Sequence, residues 1–368
     1  MGLKTNDYYG QNHEKYSHAA AQKIGILLTN VGTPDAPTYW ALRRYLKQFL
    51  KDPRVIELNK YLWWVILNLI ILTFRPGKSA AKYKVVWGEK GSPLLATSLE
   101  QKEKLEKLLR GRLGNQFEIE VGMGYGNPSI DSAIKKLIDK NVVRLLVLPM
   151  FPQYASATTG STFDGIAASL TKIRAVPELR FLTRYHDEPG YINALVESIR
   201  RVWDKDGEPE KLVFSFHGIP KRYFLNGDPY HCYCRKTARL VVEAMGLPPE
   251  KYMVTFQSLF GNEEWLRPYT VEMMEELAKT GIRKLDVICP GFSADCLETL
   301  EEIEGENKEA FMHHGGEKFR YIPALNADES FIHFLGGFVE KNLVGWIDSP
   351  RESEALLQLR AKLANECV

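Results

Sequence analysis

The stretch that most restricts the fold is Lys211-Leu-Val-Phe-Ser-Phe-His-Gly-Ile-Pro220. Leu212 to Phe216 is a run of strand-forming character that is apolar except for Ser215. Such a run offers no polar face to water, so it reads as a strand buried on both sides, as in a parallel sheet. Gly218 and Pro220 stop it and leave His217 at the carboxyl end of that strand. In open α/β sheets ligands bind at that edge. A lone histidine is more often a core residue, but its place at the strand end shifts the balance toward function.

The same scheme occurs twice. Strand-like runs at Lys23 to Pro34, Phe117 to Met123, Val142 to Phe151 and Leu179 to Tyr185 form a first set. Leu212 to His217, Tyr252 to Phe260, Lys284 to Pro290 and Phe319 to Leu325 form a second set in the same order. Helical spacing fills the gaps; in Tyr39 to Leu50, for example, Leu42, Tyr45, Leu46 and Phe49 share one face. Strands alternating with helices, given twice, predict an α/β protein of two similar doubly wound parallel-sheet domains. The 368 residues leave room for two such domains, each with its own core. The expected division is an N-terminal extension over 1–22, domains over 23–185 and 186–347, and a helical tail over 348–368. A cleft between the lobes is then the expected ligand site.

Tyr61 to Phe74 is the most apolar piece of the chain. It is too short for a membrane-spanning helix, which needs about 20 apolar residues. It reads either as a buried helix or as an apolar lip meeting a greasy ligand or a membrane surface. Arg75, Lys78, Lys82 and Lys84 follow it and would suit anionic groups beside such a lip. Pro152 to Ser161 is a hydroxyl-rich loop before a helix, fit to hold an anion or to cap that helix.

Basic and acidic residues number 48 and 46, for a net charge of +2 with no basic block, so no nucleic-acid footprint is present. Five cysteines, an odd number, speak against a disulfide framework and for a reducing compartment. The first 22 residues carry no apolar core of a signal peptide, and a cytoplasmic location is expected.

After Pro290 comes Gly291-Phe-Ser-Ala-Asp-Cys-Leu-Glu-Thr-Leu-Glu-Glu-Ile-Glu-Gly-Glu306, with Ser293 or Asp295 as an expected N-cap. Glu298, Glu302 and Glu306 fall at i, i+4 and i+8, one stripe of an α-helix. The stripe reads either as a solvated acidic face or, together with His217, as a His/carboxylate site. Such a site suits a transiently held divalent metal or proton removal. His231-Cys232-Tyr-Cys234 has a metal-like look, but without a second cysteine pair it is read as structural.

Ser215-Phe-His-Gly-Ile-Pro220, Gln257-Ser-Leu-Phe-Gly261 with Trp265-Leu-Arg-Pro268, and Cys289-Pro-Gly-Phe-Ser-Ala-Asp-Cys-Leu-Glu-Thr-Leu300 resemble the ferrochelatases. Thr29-Asn-Val-Gly-Thr-Pro34, Gly91-Ser-Pro-Leu94, Pro152-Gln-Tyr154 and Thr158-Thr-Gly-Ser161 add to the resemblance, which runs over residues 23–347 in family order. It implies two Rossmann-like lobes and the insertion of Fe²⁺ into protoporphyrin IX, the last step of protohaem synthesis. By the same resemblance His217 is the active-site histidine, with Glu298 facing it across the porphyrin. Glu302 and Glu306 continue an acidic ladder of metal contacts. Val31, Leu62, Trp63, Tyr125 and Trp265 fall at porphyrin-contacting positions. Residues 61–74 correspond to an apolar lip, often membrane-associated, and the assembly is expected to be a monomer or homodimer.

The sequence departs from the family at several points. Gly124 and Leu259 stand where basic residues are usual, and each removes a cation able to pair with a carboxylate. Cys296 replaces a histidine two residues before Glu298. A C-terminal cysteine cluster is missing, with only Cys367 near the end and Ser156 at the position of a fourth ligand, so no [2Fe–2S] centre is expected. Val31 occupies a position where the coproporphyrin-using branch carries tyrosine, which favours protoporphyrin. Two further readings fit the same residues: a chelatase for another tetrapyrrole or metal, and a non-catalytic porphyrin or haem carrier.

Overall fold

The computed structural model describes residues 20–261, 263–348 and 353–366. Most of the expected N-terminal extension, and Cys367, lie outside the described residues. Strand β1 (Lys23–Thr33) leads into α1 (Tyr39–Lys51), α2 (Lys60–Val65), α3 (Leu72–Val86) and α4 (Pro93–Leu113). Then come β2 (Phe117–Gly126), α5 (Ile130–Asp139), β3 (Val142–Pro149), α6 (Ser161–Leu170) and β4 (Glu178–Phe181). The second half runs α7 (Pro189–Asp206), β5 (Lys211–His217), α8 (Lys221–Leu225), α9 (Tyr230–Met245), β6 (Tyr252–Gln257) and α10 (Thr270–Lys279). It continues through β7 (Lys284–Ile288), α11 (Lys308–His313), β8 (Lys318–Ile322) and α12 (Glu329–Leu343) to a tail helix, α13 (Glu354–Glu366).

The two parallel sheets have the orders β2-β1-β3-β4 and β6-β5-β7-β8, one topology repeated. The repeat extends to detail. Met123 N donates to Pro128 O at 2.7 Å after β2, and Phe256 N donates to Pro268 O at 2.8 Å at the equivalent place in the second half.

Alternation along each strand decides which layer a residue joins. Ile26 and Leu28 of β1 and Phe214 and Phe216 of β5 enter one continuous core, which also takes in α4, α7, α9 and α12. Leu27 and Val147 face outward onto α5 and α6. Val213 and Val287 face outward onto α10 and α11. The largest core therefore runs through both halves. Buried Gln101 of α4 ties them further, donating to Ser293 O at 2.9 Å and Asn326 O at 2.8 Å.

The segment joining the halves carries His186, which is 1% exposed and stacked on Tyr233 at 4.1 Å between ring centroids. Burial pushes its imidazole down from 6.5 to about 4; Lys236 and Arg184 push the same way and Asp187 opposes them. Between those two values the unfolded chain binds a proton that the folded chain refuses, so stability falls as pH is lowered through that window. The expected slope is about 1.4 kcal/mol per pH unit. His186→Phe, which retains a ring against Tyr233, is expected to flatten this slope in denaturant titrations at stepped pH. An unchanged slope would assign the acid sensitivity to other groups.

Candidate active site

Val31 and Tyr125, at the carboxyl ends of β1 and β2, share an apolar cluster with Leu297, and Gln257 at the end of β6 bonds to the residue after Leu297, Glu298. His217 closes β5, with Gln257 of β6 as its register partner. Its Nδ1 lies 2.6 Å from Gly218 O. A carbonyl oxygen only accepts, so Nδ1 carries the hydrogen and, in the neutral ring, Nε2 keeps its lone pair. Trp265 lies beside it, with 6.4 Å between ring centroids. Gly218 makes this approach feasible, since a Cβ there would stand 2.9 Å from the indole and 2.9 Å from Gln257 O.

The acidic stretch is not the expected α-helix. Glu298–Asn307 forms a π-helix that passes into α11; such turns are rare and frequent at functional sites. The three glutamates have different surroundings. Glu298 lends its main-chain oxygen to Gln257 Nε2 at 2.9 Å. Its charge reaches the buried phenols of Tyr45 and Tyr83, which burial already pushes up. Glu302 accepts from Ser258 N at 2.7 Å and Ser258 Oγ at 2.5 Å. Burial holds its carboxyl above the usual range; the Glu298 charge adds to this, while Ser258 and His217 pull it back. Glu306 is exposed and pairs with Lys82 of α3 at 2.7 Å; the same lysine takes Glu301, five residues earlier, at 2.9 Å. The site therefore gathers His217, Glu298 and Glu302, and leaves Glu306 at its outer edge. Among the described residues no three His, Cys, Asp or Glu side chains converge tightly enough to hold a metal.

Neither expected cap serves this helix. Ser293 Oγ donates to Met150 O at 2.8 Å. Asp295 accepts from Tyr321 Oη at 2.6 Å and Asn326 Nδ2 at 2.7 Å, which locks the loop leading to Glu298. In the hydroxyl-rich loop a π-turn at Ser156–Gly160 precedes α6, and Ser156 N donates to Asp228 Oδ2 at 2.7 Å. The anion that this loop holds is one of the protein's own side chains. His231 sits between Phe224 and Phe256, Cys232 is exposed and Cys234 buried, so these three share no common centre.

The first half supplies the opposite wall. Val31 is half-buried and packs against the same apolar cluster as Leu297. Tyr125 is buried and donates its hydroxyl to Asp52 Oδ2 at 2.7 Å. Trp63 is anchored by its indole N–H to Leu50 O at 2.6 Å, whereas Leu62 is 59% exposed. Tyr61, Trp64, Leu69, Ile70 and Phe74 are exposed with it, so residues 61–74 form a lip rather than a buried helix. A π-turn at Ile66–Ile71 interrupts this lip. Across from it Leu259 and Phe260 of the second half are also exposed. Arg75 stacks its guanidinium on Phe260 at 4.6 Å, and burial lowers its proton affinity. No carboxylate among the described residues pairs with it. No helix among them is long and apolar enough to cross a membrane.

The residues that sequence reasoning missed are Gln257, Ser258 and Asp52. The strand-like run from Tyr252 to Phe260 takes the first two into its interior, whereas β6 stops at Gln257 and Ser258 turns to a φ of 65°.

A ferrochelatase family model matches residues 23–343. A ferrochelatase of Hydrogenovibrio crunogenus is 52% identical over 367 residues, covering 97% of this chain and 96% of its own length. One from Idiomarina loihiensis is 51% identical over 336 residues, covering 91% of this chain and 92% of its own. Among solved structures, SirB from Bacillus subtilis with Fe³⁺ matches at a TM-score of 0.51 and 12% identity, over 88% of this chain and 96% of its own; that likeness concerns the fold alone. With a family match across most of its length and relatives half identical end to end, this chain belongs to the ferrochelatase family.

Proposed function

We propose that the protein is a lyase that inserts Fe²⁺ into protoporphyrin IX, giving protohaem and two protons, as the terminal step of haem biosynthesis. The observation that carries this reading is the pairing, at one cleft, of a histidine with a free Nε2 lone pair and a glutamate-bearing turn. Two pyrrole N–H bonds must break before all four ring nitrogens can bind the iron, and the two protons released mean that the site needs proton acceptors. His217 accepts one proton at Nε2, the ring nitrogen that its bond to Gly218 O leaves with a lone pair. Glu298 assists removal of the second, with Glu302 behind it. Metal contacts are made by His217, Glu298 and Glu302 in passing, with Glu306 at the outer edge.

The porphyrin's apolar edge lies against the lip, on Leu62 and Trp63, with Val31, Tyr125 and Trp265 lining the pocket. Its propionates carry negative charge and suit Arg75, whose guanidinium has no acidic partner at the mouth. That cation is what the mouth offers in place of basic side chains at Gly124 and Leu259. The exposed lip also fits peripheral contact with a membrane surface, on a protein working in the cytoplasm.

The test is anaerobic mixing of the purified chain with protoporphyrin and Fe²⁺, or Zn²⁺ as surrogate, followed by absorbance. Conversion to the metalloporphyrin with multiple turnovers is expected. Tight porphyrin binding without turnover would leave a carrier instead.

A further inference from the structure

Gln257 is 3% exposed and bonds in three directions. Its Nε2 donates to Glu298 O at 2.9 Å and lies 3.5 Å from Glu302 Oε2. Its Oε1 accepts from Ser215 Oγ at 2.7 Å and faces Cys289 Sγ at 3.5 Å. Its main-chain oxygen accepts from Gly218 N at 2.7 Å. The amide cannot be turned over, because Glu298 O only accepts and must face the N–H side. One buried side chain thus joins the strand end that carries His217 to the first turn of the acidic helix. Ser258, the next residue, adds two donors onto Glu302 from a left-handed backbone. The bracket grips main chain at Glu298, so it sets where the turn itself lies. A π-turn, the rarer way of winding a helix, gains most from such an outside anchor.

We propose that Gln257 is a positioning residue for metal insertion, fixing the Glu298 turn at a set distance from the His217 strand end. This rests on the ferrochelatase reading. Gln257 touches neither substrate; it acts through the carboxylates that it holds in register. A displacement of about 1 Å at such a site costs up to about 100-fold in rate.

Gln257→Met keeps the length and fills the space but donates no hydrogen bond. Gln257→Asn keeps the amide but falls one methylene short of Glu298, and serves if the Met variant does not fold. Cys289→Ala removes a neighbour of the same amide whose hydrogen bond goes to Gln257 Oε1 and not to the helix. Both Gln257 variants are expected to lose about 10- to 100-fold in kcat with porphyrin KM within about twofold, while Cys289→Ala keeps the native kcat. Hydrogen–deuterium exchange gives a readout independent of turnover: the peptide spanning 296–307 should exchange faster in both variants, with the β5 peptide unchanged. If Gln257 only fills the core, its variants and Cys289→Ala will lose melting temperature alike, with native kcat and native exchange at 296–307. That result overturns the proposal. A native chain that turns over no metal would overturn the ferrochelatase reading, whereas the exchange experiment would still decide whether Gln257 anchors the turn.

Discussion

Replacing His217 by alanine is expected to lower kcat for metal insertion by about 10³-fold or more, with protoporphyrin still bound. The ring's hydrogen is spent on Gly218 O at 2.6 Å, so what alanine removes is the Nε2 lone pair and the ring that stands beside Trp265. Neither holds the fold together: His217 is half-buried at a strand end, and its main-chain pairing with Gln257 does not need the imidazole. Stability should therefore change by less than about 1 kcal/mol. Turnover and fluorescence quenching of the bound porphyrin, measured on the same preparation, separate the two functions. A variant that binds porphyrin and keeps more than a tenth of the native kcat would remove His217 as proton acceptor. It would transfer that role to Glu298, for which Glu298→Gln is the matching substitution.

Much of this arrangement is legible in the residues, and for physical reasons. Runs such as Leu212–Phe216 have no polar face, so their burial in a parallel sheet is forced, and the repeat of four such runs carries the repeated strand order. His217 could be placed because Gly218 and Pro220 end its strand at once. Long-range pairing is harder to read. Nothing in the spacing of α4, α7, α9 and α12 says that they form one layer between both sheets, since a helix with one apolar stripe fits its own sheet as well as a shared interior. Nor does spacing separate a π-helix from an α-helix over Glu298–Asn307; Lys82 makes the difference visible by taking Glu301 and Glu306 together. The lip reads as buried or exposed with equal ease, because an apolar run records that water is unwelcome and not what replaces it. Tyr125 illustrates the same limit: its pocket position follows from the motif, but its hydroxyl is held by Asp52, a residue 73 positions away.

Gly32→Ala is expected to be the most damaging single-methyl change near the site, although it removes no functional atom. Gly32 has a φ of +107°, and a Cβ there would stand 1.8 Å from Tyr125 O. The obstacle is main chain of the neighbouring strand, in register with Gly32, so no side-chain rotation relieves it. The ends of β1 and β2 must part, which moves Val31 and Tyr125 together and breaks the bond from Tyr45 Oη to Gly32 O, 3.2 Å long. Backbone strain and the collision act together, and a loss of about 3–5 kcal/mol is expected in denaturant melts, with turnover falling alongside. Gly246 separates the two causes. It has a φ of +69° at the end of α9 and open space around its Cβ direction, so Gly246→Ala carries strain alone, about 1–2 kcal/mol, and should keep native turnover. If the two variants lose the same stability, conformational strain accounts for both, and the close approach of β1 to Tyr125 has no special part in holding the cleft wall.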